Sequence, residues 1–325
     1  MTNQKVSIIM PAYNAEEWIL AAIECIKQQT YSNWELIIVN DGSKDSTELL
    51  CLQQAQIDKR IKVYTQINKG PSAARNAGLS MITGDFFTII DCDDFLESNS
   101  LELYIKVAKK YKADTVVCGY KMKNLLTGTE QQYNVNKEVV FDINHDINIP
   151  AVEDLICAGL MASNWNKMYR SNLSSLRFDE TLSLNEDVLF SLQALWNSRT
   201  VVILPDVLYE YRRQNVNSVS LKYHAELPKA ISALETQLLA NQSRPLRKNI
   251  TKWLMNYIYI QLKQICINPA LADGRIEKLK DVVRSDVFRK YGTVSQADTI
   301  NRKIGVILLK LRLYQLYILL MNKKR

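Results

Sequence analysis

Three carboxylates stand within four positions at Asp91-Cys92-Asp93-Asp94, directly after the apolar run Phe86-Phe87-Thr88-Ile89-Ile90. Such a run suits a buried strand. Strands alternate faces with a period of two, so Asp91 and Asp93 can leave the strand end on the same side. Two like charges that close repel each other unless a cation or a donor-rich ligand lies between them. Hard divalent ions such as Mg2+ and Mn2+ take carboxylate oxygens together with substrate phosphates. The chemistry suggested is metal-assisted handling of a diphosphate-bearing substrate. Asp-rich turns are also common after strands, because Asp accepts local backbone bonds there, so the neighbouring elements decide the meaning.

Those elements alternate regularly. Val6–Met10 reads as a strand, 15–29 as a helix, Glu35–Val39 as a strand and 46–56 as a helix. Residues 61–65 then read as a strand, 71–83 as a helix, 85–90 as a strand, 100–111 as a helix and 115–119 as a strand. Short β-rich runs separated by helical patterns predict an α/β fold with a parallel sheet covered on both faces. The strands lack polar alternation, as expected when both faces are buried. Glu48 in a first turn and Pro71 at a first helical position agree with these starts. From about 121 to 150 the pattern loosens into hairpins or loops, and after Ser220 it turns almost wholly helical.

In open α/β sheets, ligands bind beyond the carboxyl ends of the strands. Strand one leads into Pro11, Tyr13 and Glu16, strand two into Asp41-Gly42, strand three through Gly70 to Arg75, and strand four into Asp91 and Asp93. Taken singly, Asp41 is a turn residue and Arg75 a solvated helix charge. Four such edges on one rim argue for a site. Asp41 could accept the imide N–H of a uracil, and Tyr13 could pack on the base. Arg75 offers a permanent fork-shaped cation. Asp93 would hold the metal between two phosphates, with Asp91 on the metal or the ribose hydroxyls. Neither a phosphate-binding Gly-rich Lys loop nor Gly-x-Gly-x-x-Gly follows strand one, which disfavours phosphate-loop NTPases, dinucleotide dehydrogenases and nucleotidyltransferases.

The segments VSIIMPAYNAEEWILAAIECIKQQTYSNWELIIVNDGSKDST, NKGPSAARNAGL and GDFFTIIDCDD, in this order, resemble an inverting family 2 glycosyltransferase of bacterial type with the GT-A fold. The resemblance covers about residues 5–220. It implies a nucleotide-diphospho-sugar donor, UDP-linked as the expected form, and a divalent cation, Mn2+ or Mg2+. Carried over by position, Pro11, Tyr13, Glu16, Asp41 and Arg75 fall in the donor site, Asp91 on ribose or metal, and Asp93 on the metal. Asn164-Trp165-Asn166-Lys167 resembles the acceptor-side segment. Leu184-Asn185-Glu186-Asp187 resembles the Glu-Asp motif, with Asp187 as general base and Asn185 where a glycine is usual. Acidic residues also favour a helix N-terminus for its own sake. Tyr211-Arg212-Arg213 to Ser220 resembles the closing segment of the domain, where Arg212 or Arg213 could clamp a phosphate. His224 is weighed as an extra metal or phosphate contact, against a structural place in a helix.

The gross numbers fit an ordinary globular chain of 325 residues, with 47% hydrophobic and 23% charged residues. Six scattered cysteines without a Cys-x-x-Cys pair argue against zinc or a disulfide framework. The short apolar run after Lys5 is not expected to act as a secretory signal. The domain boundary is expected near Lys222, with a catalytic domain over 1–221 (donor half about 1–120, acceptor half about 121–221) and a helical region over 222–325. From Ile300 to Arg325 there are seven basic residues and no acidic one, against a formal net charge of +7. Ile304–Met321 approaches the length of a membrane span, yet Lys310 and Arg312 sit within it. It reads as an interfacial helix on anionic lipid, the alternative being a helix packed on protein. Nucleic acid is not an expected partner. The reading is a cytoplasmic transferase, peripheral on the inner face of the membrane, adding a sugar to a surface-polysaccharide or lipid-linked acceptor. Its rival is a silent sugar-nucleotide-binding subunit of a partner transferase, and homo-oligomerisation is left open.

Overall fold

The structure is a computed structural model that describes residues 4–143, 149–161, 163–213, 223–240, 246–297 and 299–322. In chain order its first elements are β1 (Val6–Ala12), α1 (Ile19–Lys27), β2 (Trp34–Asn40), α2 (Thr47–Ile57), β3 (Ile61–Thr65) and α3 (Pro71–Leu79). There follow β4 (Phe86–Ile89), β5 (Phe95–Leu96), α4 (Ser100–Tyr111), β6 (Thr115–Asn124), β7 (Glu130–Tyr133) and β8 (Val139–Asp142). Then come α5 (Ile149–Cys157), β9 (Lys167–Arg170), α6 (Glu186–Asn197) and β10 (Thr200–Arg213). The last elements are α7 (Leu227–Leu239), α8 (Lys248–Ile267), α9 (Arg275–Arg284), α10 (Asp286–Tyr291), α11 (Ile300–Lys310) and α12 (Tyr314–Asn322).

The chain divides into two compact units, one of Met1–Asn148, Ala158–Thr181 and Glu186–Gln214, the other of Ile149–Cys157, Leu182–Asn185 and Asn215–Arg325. The expected boundary at Lys222 and the Ser218–Ser220 segment lie outside the described residues.

The first unit holds one mixed sheet in the order β3-β2-β1-β4-β9-β6-β10-β5, with β7 on β6 and β8 on β10. Every residue of β1 and β2 is buried, as a strand covered on both faces requires. Their parallel register pairs Val6 with Trp34 and Ala12 with Asn40, while Ile9 pairs with Ile89 of β4. This register brings Tyr13, Asp41 and Asp91 to one edge. β9 is antiparallel to both β4 and β6, and so joins β1–β4 to β6 and β10. Phe87 and Tyr169 stack at 5.1 Å across that seam, within a core that includes Ile9, Ile89, Phe178 and Phe190. The 115–119 strand runs on to Asn124 because β10 pairs with it along its length.

The opposite edge is sealed by a carboxylate. Glu35, 2% exposed, accepts bonds from Ser7 Oγ at 2.7 Å, Thr83 N at 2.8 Å and Thr83 Oγ1 at 2.7 Å. Lys5 and Lys62 reach it at 3.0 and 2.8 Å. Burial pushes its pKa up, but the bonds from Lys62, Ser7, Thr83 and Lys5 outweigh this and hold it at about 2.

Besides β6, α3 departs from expectation by ending at Leu79 rather than 83, and two further departures have visible causes. The first helix spans Ile19–Lys27 rather than 15–29, because Ala15–Trp18 form a turn whose Ala15 N–H is held by Thr47 Oγ1 at 2.7 Å. The single helix expected over Ile304–Met321 is broken into α11 and α12, with Arg312 between them in the left-handed region at φ 58°. A Cβ at Gly305 would lie 2.8 Å from the Tyr317 ring, so glycine is what lets the two helices close on each other. α12 also packs on α8. Part of this segment is therefore a helix packed on protein. Among the described residues no helix is long and apolar enough to cross a membrane.

Candidate active site

The site is built outward from Arg75. Asp41, 3% exposed, accepts Gln66 Nε2 at 2.7 Å, Lys69 N at 3.0 Å and Gly70 N at 2.8 Å, and so fixes the loop that enters α3. Gly42 has φ 70°, and a Cβ there would lie 2.9 Å from Asn68 N. Gly70 at φ 88° and Pro71 at the first helical position then start α3. One turn on, Arg75 is 7% exposed. Its Nη2 donates to Asp91 Oδ1 and its Nη1 to Glu186 Oε1, both at 3.1 Å. Burial opposes its charge, but Asp91, Glu186 and Asp187 together raise its pKa. Its buried Nε has no hydrogen-bond partner among the described residues.

Arg75 thus ties the rim of β4 to the first turn of α6. The backbone enters α6 through Asn185, which has φ 65°. That explains a glycine-favouring position, and Asn is among the few residues that tolerate the left-handed region. Asp187 follows, half-buried, with Oδ1 accepting the N–H of Val188 at 2.7 Å. Burial and the neighbouring Glu186 raise its pKa to about 7, against the pull of Arg75. A carboxylate poised near neutrality suits a general base.

On the rim itself, Asp93 is pushed up to about 6 by burial and by Asp91. Among the described residues no three His, Cys, Asp or Glu side chains gather in a geometry that would hold a metal. Asp91 and Asp93 nevertheless fit a hard divalent cation whose remaining ligands come from a substrate diphosphate. Their donors are oxygens, and the strain on Asp93 is of the kind that positive charge relieves.

The other expected residues fall as follows. Tyr13 is 47% exposed, and Pro11 is buried in β1. Glu16 accepts Ser46 N at 2.9 Å and so braces the start of α2. Arg212 is occupied: its Nε donates to Glu210 at 2.7 Å and its guanidinium lies 3.6 Å over Phe95. Asn166 and Lys167 are wholly buried. Asn166 Nδ2 donates to Cys118 O at 2.8 Å, while Lys167 Nζ serves the carbonyls of Leu160 and Ser163 and Asn166 Oδ1. Burial lowers the Lys167 pKa to about 7. Neither side chain reaches solvent, so both act in support of the segment rather than at its surface. His224 lies in the second unit, with Ser183 Oγ 2.7 Å from Nδ1.

Two features were not foreseen. Asp94, 1% exposed, accepts Tyr209 OH at 2.7 Å and Arg212 N at 2.8 Å, and so pins β10 to the rim. Trp165 is stacked on Tyr209 at 4.4 Å and Tyr211 at 5.4 Å, with Tyr120 edge-on at 4.8 Å. The i, i+2 spacing of Tyr209 and Tyr211 was the available signal. The pairing of β6 with β10 that completes the group was not readable.

Comparison with known proteins gives the family and the fold. Residues 7–161 match the model of Glycosyl transferase family 2. Glycosyltransferase GlyA of Streptococcus pneumoniae is 31% identical over 89% of this chain, which spans 41% of the length of GlyA. The Escherichia coli UDP-Glc:alpha-D-GlcNAc-diphosphoundecaprenol beta-1,3-glucosyltransferase WfgD is 39% identical over 38% of this chain and 49% of its own. S. aureus TarS 1–349, solved in complex with UDP-GlcNAc, has the same GT-A fold. Its TM-score is 0.69 at 19% identity, over 98% of this chain and 90% of that one. Through residues 7–161 the chain belongs to glycosyl transferase family 2, a family of transferase enzymes.

Proposed function

We propose that the protein is an inverting glycosyltransferase, moving a sugar from a nucleotide-diphospho-sugar, UDP-linked, to a glycan or lipid-linked acceptor of surface polysaccharide. The observation that carries this is the chain of Asp91, Arg75 and Glu186, with Asp187 beside it. It sets a base poised near neutrality close to a rim suited to a diphosphate. In this reading Asp187 takes the proton of the acceptor hydroxyl and that oxygen attacks the anomeric carbon. The bond to the diphosphate breaks on the opposite face, and the nucleoside diphosphate leaves. Tyr13 would pack on the base and Asp41 would hold the loop beneath it, while Arg75 holds Asp91 and Glu186 in place. Asp93, with Asp91, would hold a Mn2+ or Mg2+ ion, which when bound neutralises the departing diphosphate. Trp165, buried against Tyr209 and Tyr211, would support the acceptor side of the site, where the half-buried Tyr211 is the member of the group able to meet an acceptor sugar. The catalytic domain is taken as 1–221 and the helical region as 222–325.

The UDP donor is supported by the UDP-GlcNAc held by TarS, and the lipid-linked acceptor by the diphosphoundecaprenol in the name of WfgD. Such an acceptor would place the enzyme at the inner face of the membrane. Calorimetric titration with a panel of nucleoside diphosphates and their sugars, with and without Mn2+, tests the donor. Metal-dependent UDP binding is expected, and the sugar bound best names the transfer to assay. Absence of binding to any member by folded protein would overturn the donor assignment. Binding without transfer to any acceptor would point to a silent subunit.

A further inference from the structure

The second unit contains a cavity of about 550 Å3 formed by α9, α10, α11 and α12. Its walls carry Lys280, Arg284, Arg289, Lys310 and Arg312 and no acidic side chain. Lys280 is paired with Glu277 at 2.5 Å, and Arg289 with Asp286 only at 3.8 Å. Among the described residues Arg284, Lys310 and Arg312 have no carboxylate within ion-pair distance. The floor is apolar, with Phe288 and Leu309 each 1% exposed. Cations concentrated over apolar walls favour a phosphate attached to a hydrophobic body.

The helices around this cavity are apolar on their outer sides too. Ile300, Ile304, Ile307 and Leu311 are exposed at helical spacing, opposite the buried Gly305, Val306 and Leu309 of α11. Lys303 and Lys310 flank that stripe. On α12 the exposed Leu316 and Leu319 lie away from the buried Tyr317, and Leu313 precedes them. Seven of the seventeen exposed large apolar side chains among the described residues fall between Ile300 and Leu319. Exposed apolar residues ordinarily scatter singly, and a cluster marks a surface that something covers. The break at Arg312 matters here. On one continuous helix Lys310 and Arg312 point far apart, whereas the left-handed residue lets both line the same cavity.

We infer that the α11–α12 hairpin is a docking surface for an anionic lipid bilayer, with the cationic cavity receiving the phosphate of a lipid headgroup. The exposed Ile and Leu side chains enter the headgroup–acyl boundary, and the basic residues meet the negative leaflet. Neither helix is long enough to span a bilayer, so the hairpin lies on the surface. A second copy of the chain is a poorer occupant, because a two-fold contact would set these cations against one another. The inference rests on the proposed lipid-linked acceptor only for its setting.

The test is cosedimentation of the full chain with phosphatidylcholine vesicles, with and without about 30% phosphatidylglycerol. The wild type is expected to bind the anionic vesicles, less so at high salt. The double variant Arg284→Glu/Lys310→Glu should lose at least about 25-fold in partitioning, each cation near such a surface being worth about five-fold. Arg284→Lys/Lys310→Arg should keep binding, and Ile304→Ser/Leu316→Ser should weaken it on both vesicle types. Circular dichroism reports folding of each variant and UDP calorimetry on the wild type tests the transferase reading; vesicle binding without UDP binding would sink only the latter. Equal binding to neutral vesicles, no binding at all, or indifference to charge reversal would overturn the inference. So would tight binding of inorganic pyrophosphate without vesicles, which assigns the cavity to a free phosphate. Self-association removed by the serine variant, without vesicle binding, would assign the face to a second copy.

Discussion

The two ends of β1 and β2 hold carboxylates of opposite temper. At the amino edge Glu35 is buried among hydroxyls, an amide and two lysines, and is held down at about 2. At the carboxyl edge Asp93 and Asp187 are half-buried with too few donors and beside other carboxylates, and are pushed to about 6 and about 7. Burial alone raises all three, so the difference lies in what faces them. Where donors saturate the group it seals the fold. Where they are withheld, the group is left with an appetite for a proton or a cation, which is what a site for acid–base and metal chemistry needs.

The contrast can be broken most severely at Asp187. Asp187→Asn should lower transfer by about 10³-fold, the order expected for loss of a general base, while UDP-sugar binding stays within about twofold. A near wild-type rate would remove its role. The same variant should melt at a higher temperature near pH 8, since an acid whose folded pKa is raised costs stability once it is charged. Next in size, Asp93→Ala should weaken Mn2+-dependent UDP binding by at least about tenfold, read by calorimetry. Undiminished binding would dismiss Asp93 as the metal ligand. The pH profile follows from the sign of the Asp187 shift: kcat should rise with pH through about 7 as the base form appears, and be flat there in Asp187→Asn.

The smallest effect belongs to the sealing carboxylate. Glu35→Gln should leave transfer unchanged and cost about 1–2 kcal/mol in denaturant unfolding at neutral pH, after discount for the half-exposed lysine heads. Its folded pKa is depressed from an ordinary 4.5 to about 2. The stability it supplies is therefore present above 4.5 and lost as the pH falls towards 2, so wild type and variant should converge in acid. Divergence that persists there would mean that packing, not charge, is what Glu35 supplies.

The carboxyl edge of the sheet is legible in the sequence because its rules are local. Apolar runs such as Val6–Met10 and Glu35–Val39 announce covered parallel strands, and parallel strands deliver their following loops to a single edge. Tyr13, Asp41, Arg75 and Asp91 group together on that basis. The pairing of Arg75 with Glu186 joins residues 111 positions apart, and no local rule reaches so far. Lys167 and Asn166 carry polar names but sit buried among backbone carbonyls and each other, and burial of that kind is decided by the antiparallel insertion of β9. The tail misleads for a related reason: its hydropathy reads as one helix, while the tight contact at Gly305 and the turn at Arg312 depend on what α11 and α12 pack against.

By itself, then, the order of residues determined the strand-and-helix alternation, the rim of acids and the family, because periodicity and motif spacing are written within short stretches of chain. Only the tertiary structure decided which carboxylates are starved of donors and which are satisfied. That depends on groups brought in from distant segments, and a pKa is set by the few ångströms around a group rather than by its neighbours in sequence.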